Sequence, residues 1–552
     1  MESSSSSWSE VMTVPDLMAR AMATAPDTIA LAMPELELSY LELESRVNEL
    51  AAALLALGVD SGDRVGLLAP NSPEFLEAFF AAQMVGAVVV PLNVRYKSAE
   101  LAHVIRDAEL KVLMTTDRID DYVVLADLVA EALGDLQSQG NAAALQLSDA
   151  PALTAVGMLR GTRRDLPLLS GEDLATMAGS VADQVVDESR MRVRIRDAAV
   201  ILYTSGTTSH PKGCVLSHEA MTRGPAGRAL GRFASGASTE AYWLPGPLFH
   251  IGALSPLMGC VAAAGTCVTD VYYDADRAIN LMAKYSVTAA WPWFPPVTEA
   301  LAAHPRLDAA QLPSLKFLGT IGSRSLLERL NRKLPGVELV KSSGMTEAAG
   351  SFGLSVEGED LESRIVTQGP PIPGVEVRIV EPGTYTDLPP DTPGELLIRG
   401  FLVMEGYYND EIRTSAVLDR ERWLRTGDSY ILTPDGRLVW DGRLKDMLKV
   451  GGENVSSLEV EDFLMEHPAV HAVEVVGQDD QRLEEVPVAF VELRAGEWID
   501  PDELIDYCQG RLASYKVPRR VILMDRDNWP MSTTKVDKRA LRRRLISSDN
   551  GP

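Results

Sequence analysis

The chain has 552 residues, of which 46% are hydrophobic and 24% are charged, the usual balance of globular domains. Its 52 Lys and Arg residues against 78 Asp and Glu residues give a formal net charge of −26, and such a surface repels nucleic acids and anionic membranes. These values exclude a disordered tail protein, a collagen-like fibre and a disulfide-stapled peptide, and they argue against nucleic acid as a partner.

Cysteine and histidine are too few and too scattered to predict a metal site or a disulfide framework. The four cysteines form no C-x-x-C pair, and the seven histidines show no metal-ligand spacing. Residues 3–7 are all serine, without the basic and apolar regions of a signal peptide. The longest uncharged stretch, residues 241–269, is broken by prolines and glycines, which favours buried core over a membrane span. We therefore expect a soluble, cytoplasmic protein with no membrane partner.

The first part of the chain predicts alternating helices and strands. Ser39 is a good helix N-cap, and apolar residues at helical spacing follow it until Gly58. An apolar strand is predicted at residues 64–69, a helix beginning near Pro73 and ending near Gly86, and a second buried strand at residues 87–92. Strand, helix and strand in this order predict a parallel α/β sheet with right-handed crossovers.

The next part of the chain divides into a weakly patterned stretch and a strongly patterned one. Residues 137–189 are rich in small and polar side chains, which predicts peripheral helices and loops. The apolar run from Ala198 to Leu202 then predicts a fully buried strand.

The character of the sequence changes after residue 428. Asp435-Gly436 and Asp441-Gly442 are expected to form turns at the ends of short strands. Strands are predicted at residues 470–476 and 486–493, and helices at 457–466 and 501–512. This pattern predicts a compact α+β tail domain of roughly a hundred residues.

The sharpest chemical feature directly follows the strand at 198–202. Residues 203–209 carry six hydroxyl groups and one glycine, and His210, Pro211, Lys212 and Gly213 come next. Such a loop can aim backbone N–H groups and hydroxyls at phosphate oxygens, with Lys212 as a point charge. The loop is not a Walker A motif, because the G-x-x-x-x-G-K-[ST] spacing is absent.

The run 203–213 resembles the phosphate loop of the adenylate-forming (ANL) superfamily, which includes acyl-CoA synthetases, carrier-loading adenylation domains and firefly luciferase. Further segments match that superfamily in its order and spacing: Gly344-Met345-Thr346-Glu347, 369–374, 394–396, Gly406-Tyr407, Arg425-Thr426-Gly427-Asp428, 442–446, 451–454, 459–461, 515–519 and Thr534-Lys535-Val536. The resemblance covers residues ~40 to ~545 and is specific as a combination.

The resemblance implies an α/β fold of two parts. A large N-terminal domain with parallel and mixed sheets, residues 1–444, is expected to bind ATP and the acyl substrate. A smaller, mobile α+β lid domain, residues 445–552, is expected to be joined to it by a hinge at Lys445.

The resemblance also implies which residues handle the nucleotide and the metal. Lys212 and the hydroxyl loop would neutralise phosphates, Thr346 would contact phosphate, Glu347 would hold Mg²⁺, and Lys535 would act as a second cation on the developing charge. Asp428, with Arg443 nearby, would hold the ribose. The residues expected to bind ATP or CoA are Thr204, Ser205, Gly206, Thr207, Thr208, Gly322, Ser343, Gly344, Met345, Asp428, Arg443, Gly451 and Gly452.

The second step of the reaction implied by the resemblance uses the tail domain. Rotation about Lys445 would withdraw Lys535 and bring Gly451 and Gly452 to the tunnel for coenzyme A. Glycine suits this position because the backbone must approach the pantetheine closely.

The acyl pocket is expected to include His250, Trp291, Phe294, Gly319 and Thr320. Taken alone, His250 is equally consistent with a core histidine whose ring nitrogens are hydrogen-bonded. Aromatic residues among prolines, such as Trp291 and Phe294, often belong to the hydrophobic core. Residues 245–255 contain no acidic side chain that could hold the α-ammonium group of an amino acid. The expected substrate is therefore a carboxylic acid without an amino group.

Several departures from the superfamily pattern fall on the ATP side. Ser209 and Thr534 replace glycines, and residues 319–323 replace the usual adenine segment. Ser343 stands where an aromatic residue usually stacks on adenine, which would remove a contact of ~1–3 kcal/mol. Either other contacts compensate, or the enzyme mainly forms thioesters from an adenylate made elsewhere.

The sequence therefore predicts an acyl-CoA synthetase that activates a non-amino, bulky apolar or ring-containing carboxylic acid as acyl-AMP and transfers it to CoA. ATP, Mg²⁺ and coenzyme A are the expected cofactors, and a homodimer is left open. The alternatives are a ligase with a weakened ATP half, a non-catalytic nucleotide-binding protein and a luciferase-like oxidase.

Overall fold

The structure is a computed structural model that describes residues 11–162, 165–204, 211–237, 239–322, 324–444, 447–525, 528–530, 536 and 538–549. The helices are α1 (Val14–Thr24), α2 (Tyr40–Ala56), α3 (Pro73–Met84), α4 (Ser98–Asp107), α5 (Leu125–Ala132), α6 (Gly171–Ala178), α7 (Asp183–Arg190), α8 (His218–Gly231), α9 (Ile251–Ala262), α10 (Ala275–Lys284), α11 (Pro295–Ala303), α12 (Arg324–Lys333), α13 (Leu361–Val366), α14 (Glu411–Val417), α15 (Ser457–Met465), α16 (Pro501–Cys508) and α17 (Lys538–Asp549).

The strands follow the same order along the chain. They are β1 (Ile29–Met33), β2 (Leu36–Ser39), β3 (Arg64–Leu68), β4 (Val88–Pro91), β5 (Leu110–Thr115), β6 (Ala155–Met158), β7 (Ala198–Thr204), β8 (Lys212–Ser217), β9 (Ala241–Trp243), β10 (Thr266–Val268), β11 (Ala289–Ala290), β12 (Phe317–Gly319), β13 (Glu338–Val340), β14 (Ser342–Met345), β15 (Gly350–Leu354), β16 (Val375–Val380), β17 (Gly394–Gly400), β18 (Gly406–Tyr407), β19 (Leu424–Leu432), β20 (Leu438–Arg443), β21 (Met447–Val450), β22 (Glu453–Ser456), β23 (Val470–Asp480), β24 (Glu484–Leu493) and β25 (Arg520–Leu523).

The first sheet contains the early strands and the strand that leads to the phosphate loop. In the described part of the chain its order is β18-β8-β7-β4-β3-β5-β6, and β3, β4, β5 and β7 pair in parallel. The predicted parallel α/β arrangement is therefore confirmed. Ser39 caps α2 in a capping box with Glu42, and Gly58 follows the helix with φ +76°, as a helix end requires.

The prediction that residues 137–189 form only peripheral helices and loops is wrong. They contain β6, which is fully buried and extends the first sheet by pairing in parallel with β5. Its four residues are too few to display a two-residue period, so the sequence gives no strand signal there.

The second sheet, which has seven strands in the described part of the chain, contains the strands of the long uncharged stretch. In the described ranges its order is β13-β12-β11-β9-β10-β1-β2, and helices α8 and α9 pack against one another beside it. The uncharged residues 241–269 form β9, α9 and β10, all largely buried. The prediction of buried core there is confirmed, and no helix in the described residues is long and apolar enough to cross a membrane.

A third sheet is antiparallel and contains Asp428. Its order is β16-β17-β19-β20, and a two-stranded ribbon of β14 and β15 lies separately. Asp435-Gly436 forms the turn between β19 and β20, as predicted. Asp441-Gly442 does not end a strand, because Ser429 pairs with Gly442 and β20 continues to Arg443.

The smaller C-terminal domain is α+β, as expected. Its strands have the order β22-β21-β24-β23, with β25 added in parallel to β24. Helix α16 ends at Cys508 rather than at residue 512, because Gly510 adopts φ +73°, which an α-helix cannot contain. The large α/β domain followed by a smaller domain confirms the predicted fold class; the boundary at Lys445 stays a prediction, because residues 445 and 446 lie outside the described residues.

Candidate active site

The two strands that border the hydroxyl-rich loop bring Thr204 and Lys212 side by side. β7 ends at Thr204, β8 begins at Lys212, and the two residues are register partners in an antiparallel pair. The intervening Ser205, Gly206, Thr207 and Thr208 lie outside the described residues. The Thr204 hydroxyl is buried and has no hydrogen-bond partner in the described part of the chain, which is the state expected of a group reserved for a ligand.

Lys212 lies in a charged cluster with Glu347 and Tyr407. The Lys212 ammonium is 3.4 Å from Glu347 Oε1, and the Tyr407 hydroxyl donates to the same oxygen at 2.9 Å. Lys212 also contacts the Tyr407 hydroxyl, and burial raises the pKa of Tyr407 well above its usual range. Lys212 and Glu347 are thus held together, and Thr346, the residue before Glu347, lines the cavity described below. Tyr407 was expected only as part of a connecting strand.

The residues present fit one Mg²⁺ bound together with nucleotide phosphates. Glu347 offers a carboxylate beside Lys212, while no group of three potential metal ligands occurs among the described residues. Mg²⁺ characteristically uses one or two carboxylates plus substrate phosphates and water. Bound there, it would neutralise phosphate charge.

The residues expected to bind the nucleotide base and ribose lie mainly on β14, β19 and β20. Asp428 lines a cavity of about 690 Å³, and Arg443 is its register partner on β20. Ser343 accepts a hydrogen bond of 2.9 Å from the Tyr430 hydroxyl, and Tyr430 and Trp440 line the same cavity. Gly344, Met345 and Gly322 also line it. Tyr430 and Trp440 lie outside every matched segment, so sequence reasoning missed both.

We call this space the reaction cavity, and its acid side is aromatic. It is lined there by His250, Trp291, Trp293 and Phe294, with the rings of Trp291 and Trp293 stacked 5.7 Å apart.

Two predicted pocket residues do not line the cavity. A Cβ at Gly319 would lie 2.6 Å from Trp291 and 2.8 Å from Trp293, so Gly319 permits these rings to pack but is covered by them. Thr320 is fully buried and is absent from the cavity lining.

The glycine-rich segment of the tail domain reaches the mouth of the reaction cavity. A Cβ at Gly452 would lie 2.5 Å from Phe294 Cδ1, and Gly452 has φ +84°, so only glycine fits. Next to it, Glu453 Oε1 is 3.0 Å from His250 Nε2 and contacts Arg95. Burial alone would raise the pKa of Glu453, but His250 and Arg95 lower it to about 2.

A second contact between the domains is a fully buried cluster around Lys516. Its ammonium donates to Glu100 of α4 and to Glu459 of α15, both at 2.7 Å. Lys516 lies in the matched segment 515–519, for which no role was predicted. Because unpaired buried charges are costly, this cluster fixes how the tail domain sits on the large domain.

The structure does not test the roles predicted for three residues. Lys445 and Lys535 both lie outside the described residues, and only the backbone of Arg443 is described. Their roles stay predictions.

Comparison with known proteins agrees with this fold. The family profile "AMP-binding enzyme" matches residues 18–408, and "AMP-binding enzyme C-terminal domain" matches residues 459–534. The chain is 33% identical to a feruloyl-CoA synthase of Amycolatopsis sp over 92% of this chain and 94% of the relative. It is 32% identical to the 3-[(3aS,4S,7aS)-7a-methyl-1,5-dioxo-octahydro-1H-inden-4-yl]propanoyl:CoA ligase of Mycobacterium tuberculosis, over 94% and 96% of the two chains.

A solved structure shares the arrangement. The amide bond synthetase McbA from Marinactinospora thermotolerans has a TM-score of 0.79 at 26% identity, covering 97% of this chain and all of that chain. The fold, the phosphate-side cluster and the two-domain cavity thus define an adenylate-forming enzyme. The chain belongs to the AMP-binding enzyme family, in its acyl-CoA ligase branch. Members of this branch are acid–thiol ligases that cleave ATP to AMP and pyrophosphate.

Proposed function

We propose that this protein is a carboxylic acid–CoA ligase for a non-amino, ring-containing or bulky apolar acid. One observation carries the proposal: a single cavity connects Asp428 and Thr346 on the nucleotide side with the aromatic wall and with Gly452 of the tail domain. Such a cavity lets an acyl-AMP form and then meet a thiol without leaving the protein.

The first half-reaction joins the acid carboxylate to the α-phosphate of ATP and releases pyrophosphate. Lys212 and Thr204 hold the phosphates, Glu347 carries Mg²⁺, and Asp428 with Arg443 holds the ribose. Fixed positive charge at the phosphates stabilises the transition state because it needs no reorganisation during the reaction. Lys535 supplies the second cation.

The second half-reaction transfers the acyl group to the sulfur of CoA and releases AMP. Gly451 and Gly452 form the wall that the pantetheine passes. The placement of Gly452 against Phe294 supports an arrangement of the tail domain suited to this step, and Lys445 is the proposed hinge.

The substrate class follows from the cavity wall and the relatives. Trp293 and Phe294 offer flat apolar surfaces suited to a ring. Glu299 also lines the cavity, but it is paired with Arg329, so it is not a free anion for an α-ammonium group. The names of the feruloyl and indenyl-propanoyl relatives are consistent with a ring-containing acid.

A second candidate is a ligase whose ATP half is weak and which uses an adenylate made by a partner enzyme. Ser343, in place of a stacking aromatic, favours it. The Tyr430 ring beside Ser343 favours the complete ligase instead.

The test is incubation with ATP, Mg²⁺, CoA and a set of ring-containing acids, followed by mass spectrometry. An ATP-dependent acyl-CoA is expected. A product formed only from supplied acyl-AMP would favour the second candidate, and no acyl-CoA or acyl-AMP from either source would overturn the proposal.

A further inference from the structure

Three hydrogen-bond donors meet at the end of the reaction cavity that is distant from the tail domain. Arg228 of α8, Tyr242 of β9 and Trp291, which follows β11, all line it. The Tyr242 hydroxyl and the Trp291 indole N–H are buried without a hydrogen-bond partner among the described residues. The Arg228 guanidinium likewise has no hydrogen-bond acceptor or carboxylate partner within the described ranges. Buried donors normally have acceptors. Two such donors without one, beside an arginine that has no carboxylate partner in the described ranges, indicate a binding site for an acceptor group.

The surroundings of Arg228 show that its guanidinium faces an enclosed space. The residue keeps some accessible surface although protein surrounds it, and burial lowers its pKa to about 10. The positive charge of Arg232 also repels that of Arg228. The other charged groups on this wall are already engaged: Glu299 pairs with Arg329, and Lys341 donates to the Ile365 carbonyl.

The backbone leaves room for the arginine. Gly224 lies one turn earlier on α8, and a Cβ there would approach an Arg228 terminal nitrogen to 3.0 Å. Gly259 of α9 lies against the Pro225 carbonyl and Ala229, which lets α8 and α9 pack closely beside Arg228.

Helix α9 gives the distance from this end to the reacting end. Its cavity-lining residues run from Ile251, next to His250, to Gly259, next to α8. Eight residues of α-helix rise about 12 Å. The donor cluster therefore lies about 12 Å along the cavity from the His250 end, the length of a ring-bearing acid with a substituent on its far side.

We propose that Arg228, Tyr242 and Trp291 form a subsite for an anionic oxygen group at the far end of the substrate. This inference rests on the proposed function and narrows it to ring-containing acids with a second carboxylate. A guanidinium prefers a carboxylate because it can donate two parallel hydrogen bonds to it. The hydroxyl and indole N–H add neutral donors to the same group.

The test uses three acids of nearly equal size: 3-(4-carboxyphenyl)propanoate, 3-(4-acetylphenyl)propanoate and 3-(4-isopropylphenyl)propanoate. We expect kcat/KM for acyl-CoA formation to be at least about tenfold higher for the carboxyl acid than for the isopropyl acid, the effect of one charge-assisted hydrogen bond or more. The acetyl acid should fall between them. If the isopropyl acid is used as well as the carboxyl acid, the inference is wrong. If the acetyl acid is the best substrate, the subsite binds a neutral carbonyl group and not an anion, which also contradicts the inference.

Variants on one helix provide the control. Arg228→Leu should abolish the preference for the carboxyl acid, Arg228→Lys should keep part of it, and Tyr242→Phe should reduce it several-fold. Arg223→Leu makes the same change on α8 at a residue paired with Glu219 at 2.7 Å and outside the cavity lining, so the preference should persist. An unchanged preference in folded Arg228→Leu protein contradicts the subsite.

Calorimetric binding of the same three acids separates this inference from the proposed function. The proposed function fails only if no ring-containing acid gives acyl-CoA or acyl-AMP, whereas the binding measurement tests the subsite whether or not turnover occurs. Tighter binding of the carboxyl acid to the wild type than to Arg228→Leu would still support the subsite, and equal binding would overturn it.

Discussion

The Tyr430 hydroxyl donates a 2.9 Å hydrogen bond to Ser343 Oγ, joining β19 to β14 on the nucleotide side of the reaction cavity. Ser343 stands where the superfamily usually has an aromatic residue, and the Tyr430 ring lies next to Ser343 on another strand. Phe352 supports that ring edge-to-face at 6.2 Å. We propose that residue 430 supplies the aromatic surface that the sequence lacks at residue 343.

Tyr430→Ala should raise KM for ATP in the adenylation half-reaction by about tenfold to hundredfold. The reason is the loss of a stacking contact of about 1–3 kcal/mol. Tyr430→Phe should lose much less, because it keeps the ring and only gives up the bond to Ser343. Pyrophosphate exchange at varied ATP measures the effect, and the Ser343→Tyr/Tyr430→Ala double variant should recover part of the loss. An unchanged KM in Tyr430→Ala would contradict the role of this ring.

Tyr407→Phe should lower the rate of adenylation by roughly tenfold, because the hydroxyl that links Lys212 to Glu347 is lost and a positioned hydrogen bond is worth about 1–1.5 kcal/mol. Lys212→Ala should cost about 10²-fold or more, as for other groups that stabilise transition-state charge. The adjacent Tyr408→Phe is the matched control, since Tyr408 bonds to Glu109 on the surface. Equal losses in Tyr407→Phe and Tyr408→Phe would refute the specific role of Tyr407.

Much of this site could be predicted from sequence, because many of its residues lie in short contiguous motifs. Lys212, Glu347, Asp428 and Gly452 lie in contiguous motifs that can be recognised in order along the chain. The structure places Asp428 and Gly452 on the cavity wall and pairs Lys212 with Glu347. Tyr430 and Arg228 could not be found this way, because each acts across strands or helices with a residue far away in sequence. β6 was missed for a related reason: only pairing with β5 defines it as a strand.

Gly452→Ala should slow acyl transfer from supplied acyl-AMP to CoA by at least about tenfold and leave adenylation nearly intact. The new Cβ would overlap Phe294 and the left-handed backbone would be strained. Gly436→Ala is the matched control, since it also has φ +84° but nothing within 4 Å. If both variants lose acyl transfer equally, backbone strain alone explains the effect and the contact with Phe294 is irrelevant.

Glu100→Gln should weaken docking of the tail domain in this arrangement and slow acyl transfer by about tenfold to hundredfold. It replaces a charge-assisted hydrogen bond to buried Lys516, worth about 1.5–3 kcal/mol, while the bond from Lys516 to Glu459 remains. Glu131→Gln, at an exposed residue bonded to Ser98, should change nothing. Acyl transfer from synthetic acyl-AMP measures the effect, and a normal rate in Glu100→Gln would show that Lys516 does not hold the tail domain.

Acid should destabilise the wild type more than Glu453→Gln. The pKa of Glu453 is about 2 in the folded protein and about 4.3 when unfolded. A lowered carboxyl pKa contributes stability that is complete above the unfolded value and is lost as pH falls toward the folded value. Between pH 4.5 and 3.5 the wild type should lose about 1 kcal/mol more than Glu453→Gln. Urea unfolding at both pH values measures the difference, and parallel losses would contradict it.

The central claim is that one cavity serves two half-reactions that use different residues of the tail domain. The most direct measurement compares pyrophosphate exchange and acyl transfer from synthetic acyl-AMP in Lys535→Ala. The account predicts that exchange is abolished while acyl transfer is largely retained, the opposite of the defect expected for Gly452→Ala. Equal loss of both activities in Lys535→Ala would contradict it.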